Sequence, residues 1–241
     1  MSDFITSRMN SKVKAASLLK SGVNKLFLVE GFHNVEMALK QGAIKEVFSL
    51  KEMPNIDVPL HVVTKEIIDK LSSVQNPEGI VAVCEKKEGK PFSSDRLLYL
   101  DLIQDPGNVG TLLRTALSFG FHDVLLSKNS CDPYNSKVLL ASQGAIFALN
   151  VKTSIVPSSE DIKSLKAQGY LLLGTSLDHS VPFEGFKVPK GKICLILGNE
   201  GKGVEKEVLA LTDQNITITM SGIDSLNVGV AGGILMHGLA L

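Results

Sequence analysis

Short apolar runs alternate with helix-forming segments along nearly the whole chain, and this alternation constrains the fold more than any other feature. In the first third, KLFLVEG and GIVAVCE are strand-like, and FHNVEMALKQG between them predicts a helix closed by Gly42. The alternation resumes at residue 96, with predicted strands such as LLYLDLI and ICLILG. Strands separated by helices indicate α/β units with largely parallel sheets.

A charged segment rich in Gly, Pro and Ser, KKEGKPFSSD, interrupts the alternation at residues 86–95 and predicts a linker. A chain of 241 residues is long enough for two modest domains. We therefore expect a small N-terminal α/β domain over residues 1–90 and a C-terminal parallel-sheet α/β domain over residues 91–241. The helices predicted in the second domain are 108–119, 134–143, 159–168, 203–211 and 224–239.

Composition excludes little about function. Lys and Arg together number 25, as do Asp and Glu, so the net charge gives no reason to expect a nucleic-acid partner. The N-terminus lacks the apolar core of a signal peptide, and no apolar run approaches the ~20 residues that cross a bilayer. Cys84 and Cys194 lie in apolar runs and are predicted to be buried free thiols. Without a CxxC pattern we expect no metal site, and we expect a cytoplasmic protein without a membrane segment.

Three loops rich in glycine and polar residues each follow an apolar run of the second domain directly. They are QDPGNVGTLLR, LGNEGKGV and MSGIDSLNVGVAGG. In an open α/β sheet, ligands bind outside the carboxyl ends of the strands, so the three loops predict one composite site. The loops contain neither GxxxxGK[ST] nor GxGxxG, so the sequence supports neither ATP hydrolysis nor NAD binding.

Two helices next to these loops carry unusual residues. Arg114 lies roughly 140° around its helix from the apolar Val109, so it borders the buried face. It either reaches a neighbouring loop or is an ordinary exposed or ion-paired arginine. The final helix contains Gly229, Gly232, Gly233 and Gly238. Each costs up to ~1 kcal/mol relative to Ala, which predicts a closely packed neighbour, either a dimer partner or a crossing of the chain. The other interpretation is a buried helix capped by Ser225.

Taken in order, QDPGNVGTLLRTALSFG, LILGNEGKGV and ITMSGIDSLNVGVAGGIL resemble the three sequence motifs of the SpoU/TrmH family of RNA 2′-O-ribose methyltransferases, in the SPOUT superfamily. The stretch ITSRMNSKVKAASLL…FLVEGFHNVEMAL is similar to the ribosomal-protein-like substrate-binding domain of rRNA-modifying members. The resemblance implies a deep trefoil knot in the C-terminal domain, a homodimer formed through that domain, and S-adenosylmethionine as the cofactor. Periodicity alone would not have predicted a knot, because threaded chains are very rare.

The implied reaction is transfer of a methyl group from S-adenosylmethionine to a ribose 2′-hydroxyl of RNA, with rRNA as the expected substrate. A tRNA methyltransferase stays open, as does a non-catalytic RNA-binding or ribosome-assembly protein that keeps the fold. The sequence does not name the modified nucleotide.

The resemblance also implies roles for individual residues. The expected catalytic residues are Arg114, Asn108, Glu200, Ser225 and Asn227. The expected cofactor contacts are Gly198, Ile218, Leu226, Thr175 and Ser176. The expected RNA contacts are Arg8, Lys12, Lys14 and Arg114.

Two features of this set stay open. Arg114 is either the general base or a group that holds phosphate and stabilises the developing alkoxide, because guanidinium groups stay charged. Gly229 stands where the family has Ser, so a contact to the cofactor or a helix cap could be lost.

Overall fold

The structure is a computed structural model that describes residues 3–21, 25–54, 56–222 and 225–240. Its backbone contacts divide the chain into two compact units. The first comprises Met1–Glu88 and Tyr134–Phe147, and the second comprises Gly89–Pro133 and Ala148–Leu241. The sequence suggested a single boundary between residues 90 and 91. It contained no sign that Tyr134–Phe147 would cluster with the first unit.

The helices and strands alternate as the apolar pattern predicted. Up to residue 88 they are β1 (Asp3–Ile5), α1 (Ser11–Leu18), β2 (Leu26–Glu30), α2 (Phe32–Lys40), β3 (Ile44–Ser49), β4 (Leu60–Val63), α3 (Lys65–Leu71) and β5 (Ile80–Glu85). From residue 89 they are β6 (Arg96–Asp101), α4 (Pro106–Ser118), β7 (Asp123–Leu126), α5 (Ser136–Ser142), β8 (Asn150–Thr153), α6 (Ser158–Ala167), β9 (Leu171–Thr175), β10 (Val181–Pro182), β11 (Ile193–Gly198), α7 (Lys206–Leu209), β12 (Gln214–Thr217) and α8 (Val228–Leu239). Two short 3₁₀ helices span Leu19–Ser21 and Ala145–Phe147.

The first unit contains a five-stranded sheet in the order β1-β4-β3-β5-β2. Strands β1, β4 and β3 are parallel, but β5 runs antiparallel to both β3 and β2. The prediction of a largely parallel sheet was therefore wrong for this unit. The alternation of elements indicates their order but not their direction. Helix α3 and the loop after it allow the next strand to enter the sheet from either end.

The two faces of this sheet are covered by different segments. Helices α1 and α3 pack together over a core that includes Ile5, Phe48 and Val81. The aromatic ring of Phe27 on β2 contacts the rings of Tyr134 and Phe147, which flank α5. The later segment therefore completes the apolar core of the first unit.

The second unit contains a seven-stranded sheet in the order β10-β12-β9-β11-β6-β7-β8, and every pairing in it is parallel. The parallel sheet predicted for this part of the chain is confirmed. The chain winds from β6 toward β8 on one side and reaches β11 and β9 on the other. The carboxyl ends of β6 and β11 are therefore neighbours where the strand order reverses, which is where α/β sheets bind ligands.

Most of the predicted helices of this part begin or end elsewhere in the structure. Helix α4 begins at Pro106, after the N-cap Asp105, whose carboxylate accepts a hydrogen bond from the Asn108 backbone N–H at 2.8 Å. Between residues 203 and 211 only α7 is α-helical. Helix α8 begins at Val228 and is capped by Asn227, so the interpretation of Ser225 as its cap was wrong. Residue 224, the first residue of the predicted helix 224–239, lies outside the described residues.

None of the helices in the described ranges has the length and apolar character that crossing a membrane requires. Cys84 and Cys194 are buried free thiols, as predicted, and burial raises the pKa of Cys84 to about 12.

Candidate functional site

Three side chains from the three motif loops form one hydrogen-bonded chain. Asn108, in the first turn of α4, donates from Nδ2 to Glu200 Oε1 at 3.0 Å. Its Oδ1 accepts from Asn227 Nδ2 at 2.9 Å. Glu200 follows β11, and Asn227 caps α8. The three loops predicted to make one site therefore meet through Asn108.

Chemistry sets the orientation of both amides. A carboxylate only accepts hydrogen bonds, so the NH₂ group of Asn108 must face Glu200. The oxygen of Asn227 is occupied by the backbone N–H groups of Gly229 and Val230, at 2.9 Å and 3.3 Å, so its NH₂ group must face Asn108. The network is satisfied in only one arrangement of donors and acceptors.

The loop after β11 turns back very closely onto the strand. A Cβ atom at Gly198 would lie 2.1 Å from the backbone nitrogen of Val204 and 2.2 Å from the carbonyl carbon of Gly203. Asn199 and Gly203 exchange two backbone hydrogen bonds, at 3.0 Å and 2.9 Å. Only glycine fits at position 198, because the obstructing atoms belong to the backbone.

A cavity of about 470 Å³ opens beside this loop in the second unit. Its lining includes all five residues expected to contact the cofactor, together with two of the expected catalytic residues. These are Thr175, Ser176, Gly198, Ile218 and Leu226, with Glu200 and Ser225. Asn108, Arg114 and Asn227 do not line it, although Asn108 and Asn227 are joined to the lining through Glu200.

Thr175 and Ser176 use their hydroxyl groups within their own chain. Thr175 Oγ1 donates to the carbonyl of Ile196 at 3.0 Å, and Ser176 Oγ donates to the carbonyl of Asp178 at 2.9 Å. The hydroxyl protons of Thr175 and Ser176 are therefore already used, while the side chains of Ile218 and Leu226 give the lining an apolar part.

Arg114 is exposed on the outer face of α4. Its guanidinium makes no hydrogen bond or ion pair with any residue that the structure describes. The backbone of Arg114 lies in the middle of the helix, which begins at the Asn108 network. Of the two interpretations of Arg114, the structure agrees with an exposed arginine. It has no carboxylate partner among the described residues.

Two glycines of α8 pack against the chain's own α4 and β11. A Cβ at Gly232 would lie 2.4 Å from Leu112 Cδ2 and 2.8 Å from Leu197 Cδ1, and one at Gly229 would lie 3.2 Å from Thr111 Cγ2. The N–H of Gly229 still donates to the Asn227 cap. Glycine at position 229 is therefore compatible with an intact cap on α8.

Arg8, Lys12 and Lys14 are exposed in the first unit, at the start of α1. Lys12 forms an ion pair with Asp3 at 2.8 Å, so part of its charge is already neutralised. Arg8 and Lys14 make no ion pair within the described part of the chain.

The sequence analysis did not assign roles to Asp105 and Asn199, which hold the loops in place. Asp105 caps α4, and its backbone N–H donates to Glu200 Oε1 at 3.3 Å. An Asp immediately before a Pro at the start of an apolar helix is a recognisable cap signal. Nothing local signals Asn199, because its main partner, Leu102, is 97 residues away. Among the described residues, no group of three or more His, Cys, Asp or Glu side chains is arranged to hold a metal ion.

Two protein-family profiles match the chain. The profile described as the SpoU rRNA Methylase family matches residues 95–237, which include the three motif loops. The profile described as the MRM3-like substrate binding domain matches residues 10–82.

Individual proteins match over nearly the full length. The 23S rRNA (guanosine(2553)-2′-O)-methyltransferase RlmP of Bacillus subtilis is 35% identical, over 98% of each chain. The AdoMet-bound rRNA methyltransferase from Sinorhizobium meliloti has a TM-score of 0.88 and 25% identity, covering 99% of this chain and 97% of its own. A putative RNA methyltransferase of the TrmH family from Porphyromonas gingivalis has a TM-score of 0.85 and 28% identity, covering 97% and 99%.

Proposed function

Because this chain belongs to the SpoU rRNA methylase family, we propose that it transfers a methyl group from S-adenosylmethionine to a ribose 2′-hydroxyl of rRNA. One observation carries the proposal. The Asn108, Glu200 and Asn227 network joins the three motif loops beside a cavity of ligand size. Arg114, on the helix that begins in this network, leaves its charge available to RNA.

The cavity suits S-adenosylmethionine in size and chemistry. Its volume of about 470 Å³ lies within the range of small-molecule sites. Ile218 and Leu226 offer apolar contacts for the faces of an adenine ring, and the backbone around Gly198 offers groups for its edge. When bound, the cofactor supplies an activated methyl group on a sulfonium. Thr175 and Ser176 lie at the carboxyl end of β9, which stands between β12 and β11 in the sheet.

The residues of this chain then have to align the hydroxyl and stabilise charge. Arg114 has no carboxylate neighbour among the described residues, so its guanidinium keeps all its donors for an RNA phosphate and for the developing alkoxide. A general base would have to give up this charge, so we assign Arg114 the electrostatic role. The hydroxyl proton then passes to water as the bond from the ribose oxygen to the methyl carbon forms and the bond from that carbon to sulfur breaks. Asn108, Glu200 and Asn227 fix the beginning of the helix that carries Arg114, and Ser225 lines the cavity two residues before Asn227.

We assign RNA binding outside the active site to the first unit. The match of residues 10–82 to a substrate-binding domain supports this assignment, as do the exposed side chains of Arg8 and Lys14. Lys12 contributes less, because Asp3 already pairs with it.

The knot and the homodimer belong to the same proposal. Membership of the family supports the knot, and Gly198 has no room for a Cβ atom where the loop after β11 returns to the strand. Val230 and Ile234 on α8 are 53% and 43% exposed, which leaves an apolar surface for a second copy. A cytoplasmic location agrees with the free thiols of Cys84 and Cys194.

The test uses the purified protein with isotopically labelled S-adenosylmethionine and total RNA from cells in which the gene is deleted. We expect label in rRNA, at a ribose that lacks 2′-O-methylation in the deletion strain. Label in tRNA instead of rRNA would show that tRNA is the substrate. Cofactor binding by calorimetry without label in any RNA would contradict methyl transfer and favour a non-catalytic role.

A further inference from the structure

Asn199 uses both ends of its side-chain amide to join two motif loops. Its Nδ2 donates to the carbonyl of Leu102 at 2.9 Å and lies 3.4 Å from Glu200 Oε2. Its Oδ1 accepts from the backbone N–H groups of Gly201 and Lys202, at 3.0 Å and 3.1 Å. The donor end contacts the loop after β6, and the acceptor end orders the loop that lines the cavity.

The backbone of Leu102, in the connection between β6 and α4, is held by hydrogen bonds at both its N–H and its carbonyl group. Its φ of 56° is costly for a residue with a side chain. Its N–H is held by Ser127 Oγ at 2.8 Å, and its carbonyl is held by Asn199. Three residues later, Asp105 caps α4, so the position of Leu102 influences where that helix begins.

Glu200 is held from the same two loops. Asn108 Nδ2 and the N–H of Asp105 donate to its Oε1, and Asn199 Nδ2 approaches its Oε2. The Asn199 amide therefore supports both the carboxylate of the network and the connection to α4.

We propose that Asn199 is a positioning residue, which holds the start of α4, and with it Arg114, in place against the loop that lines the cofactor cavity. This inference rests on the proposed function, since it treats Arg114 and the cavity as parts of one reaction. Asn199 also lines the cavity, but both ends of its amide are already occupied by the Leu102 carbonyl and by the backbone N–H groups of the cavity loop. We therefore expect it to act through the position of these loops, as supporting contacts around a site do.

The two ends of the amide can be separated by substitution. Asn199→Asp keeps an oxygen for the Gly201 and Lys202 amides but turns a second oxygen toward the Leu102 carbonyl and Glu200. We expect kcat to fall about tenfold, while affinity for S-adenosylmethionine stays within about threefold. Asn199→Ala removes both ends of the amide, so both kcat and the affinity for S-adenosylmethionine should fall.

The pH profile distinguishes positioning from a general defect. Oxygen neighbours favour the protonated form of the introduced carboxyl group, and that form regains an O–H donor. The ratio of variant kcat to native kcat should therefore rise as the pH is lowered from about 8 to about 6. Asn215→Asp is the matched control, because Asn215 is also half-buried in the second unit, but its side chain bonds only Thr212 among the described residues, at 2.9 Å. It should leave kcat, cofactor affinity and the pH profile unchanged.

Hydrogen exchange without RNA or cofactor gives a readout that is independent of activity. Amides of residues 102–108 should exchange faster in Asn199→Asp than in the native chain, and at native rates in Asn215→Asp. Unchanged exchange in Asn199→Asp overturns the inference. So does a kcat within threefold of native, or an equal loss of kcat and affinity without recovery at low pH. If the native protein transfers no methyl group, the proposed function fails, and hydrogen exchange alone decides the role of Asn199.

Discussion

Asn227 donates a hydrogen bond of 2.9 Å to Asn108 across 119 residues of sequence. The oxygen of the same Asn227 amide caps α8, so the beginnings of α4 and α8 are joined by one side chain. Asn108 also donates a hydrogen bond to Glu200, so a substitution at any one of the three residues should alter the hydrogen bonds of the other two.

Asn108→Asp would set a second carboxylate against Glu200 and should lower kcat roughly 10- to 100-fold, the range expected for losing a hydrogen bond to a charged group. In Asn108→Asp/Glu200→Gln the new amide can donate to the new carboxylate, which restores the contact with reversed polarity. We expect the double variant to recover about tenfold over Asn108→Asp in single-turnover methyl transfer. A double variant no faster than the single one would show that the two side chains are not coupled.

Arg114→Ala should lower kcat by about a hundredfold or more, because it removes charge that meets RNA and the developing alkoxide. Affinity for S-adenosylmethionine, measured by calorimetry, should stay within about twofold, since Arg114 does not line the cavity. Arg114→Lys keeps the charge without the planar fork and should restore only part of the rate. Lys163→Ala, on the exposed face of α6, is the control for loss of a surface charge. Native turnover in Arg114→Ala would remove this residue from the mechanism.

Gly198→Ala should abolish cofactor binding, because its Cβ would lie 2.1 Å from the backbone of Val204 and the loop could not close. Gly201→Ala, in the same loop, would bring its Cβ no closer than 3.7 Å to Asn199 Oδ1, so its affinity should fall only a few-fold. Calorimetric titration with S-adenosylmethionine and a thermal unfolding scan compare the two. Equal affinities of the two variants would contradict the close return of the Gly203–Val204 backbone onto Gly198.

Acid should weaken the attachment of β1 to its sheet. Asp3 accepts hydrogen bonds from the buried His61 and from Lys12, and these contacts, His61 first, lower the pKa of Asp3 to about 2. A depressed carboxyl pKa contributes stability above the unfolded value of 3.8, and that stability is lost as the pH falls toward 2. The effect should be small, because half of the Asp3 side chain is exposed.

Asp3→Asn should therefore flatten the dependence of the free energy of unfolding on pH between about 4 and 2, as measured by urea titration. Asp57→Asn, at an exposed position without an ion pair in the described part of the chain, should leave the slope as in the native protein. An unchanged slope in Asp3→Asn would show that His61 does not stabilise this carboxylate.

The sequence by itself indicated the alternation of strands and helices in the second unit and the three loops at its site, but it did not predict β8 and β10. Apolar runs of strand length separated by helical periods favour a parallel sheet, which proved right for the second unit but not for β5 of the first. The ligand site of a parallel sheet lies at the carboxyl ends of its strands. Seven residues expected at the site, among them Gly198 and Glu200, do line one cavity.

Only the tertiary structure decided the contacts between distant parts of the chain. In the structure, β5 runs antiparallel to β3, and Tyr134–Phe147 belongs to the first unit. Asn227 rather than Ser225 caps α8. The tertiary structure also gave Asn199 a partner 97 residues away. Periodicity reports which face of an element is buried, because that depends on neighbours three or four residues away. A hydrogen bond between two loops depends on where the packed strands bring them, and no local pattern carries that information.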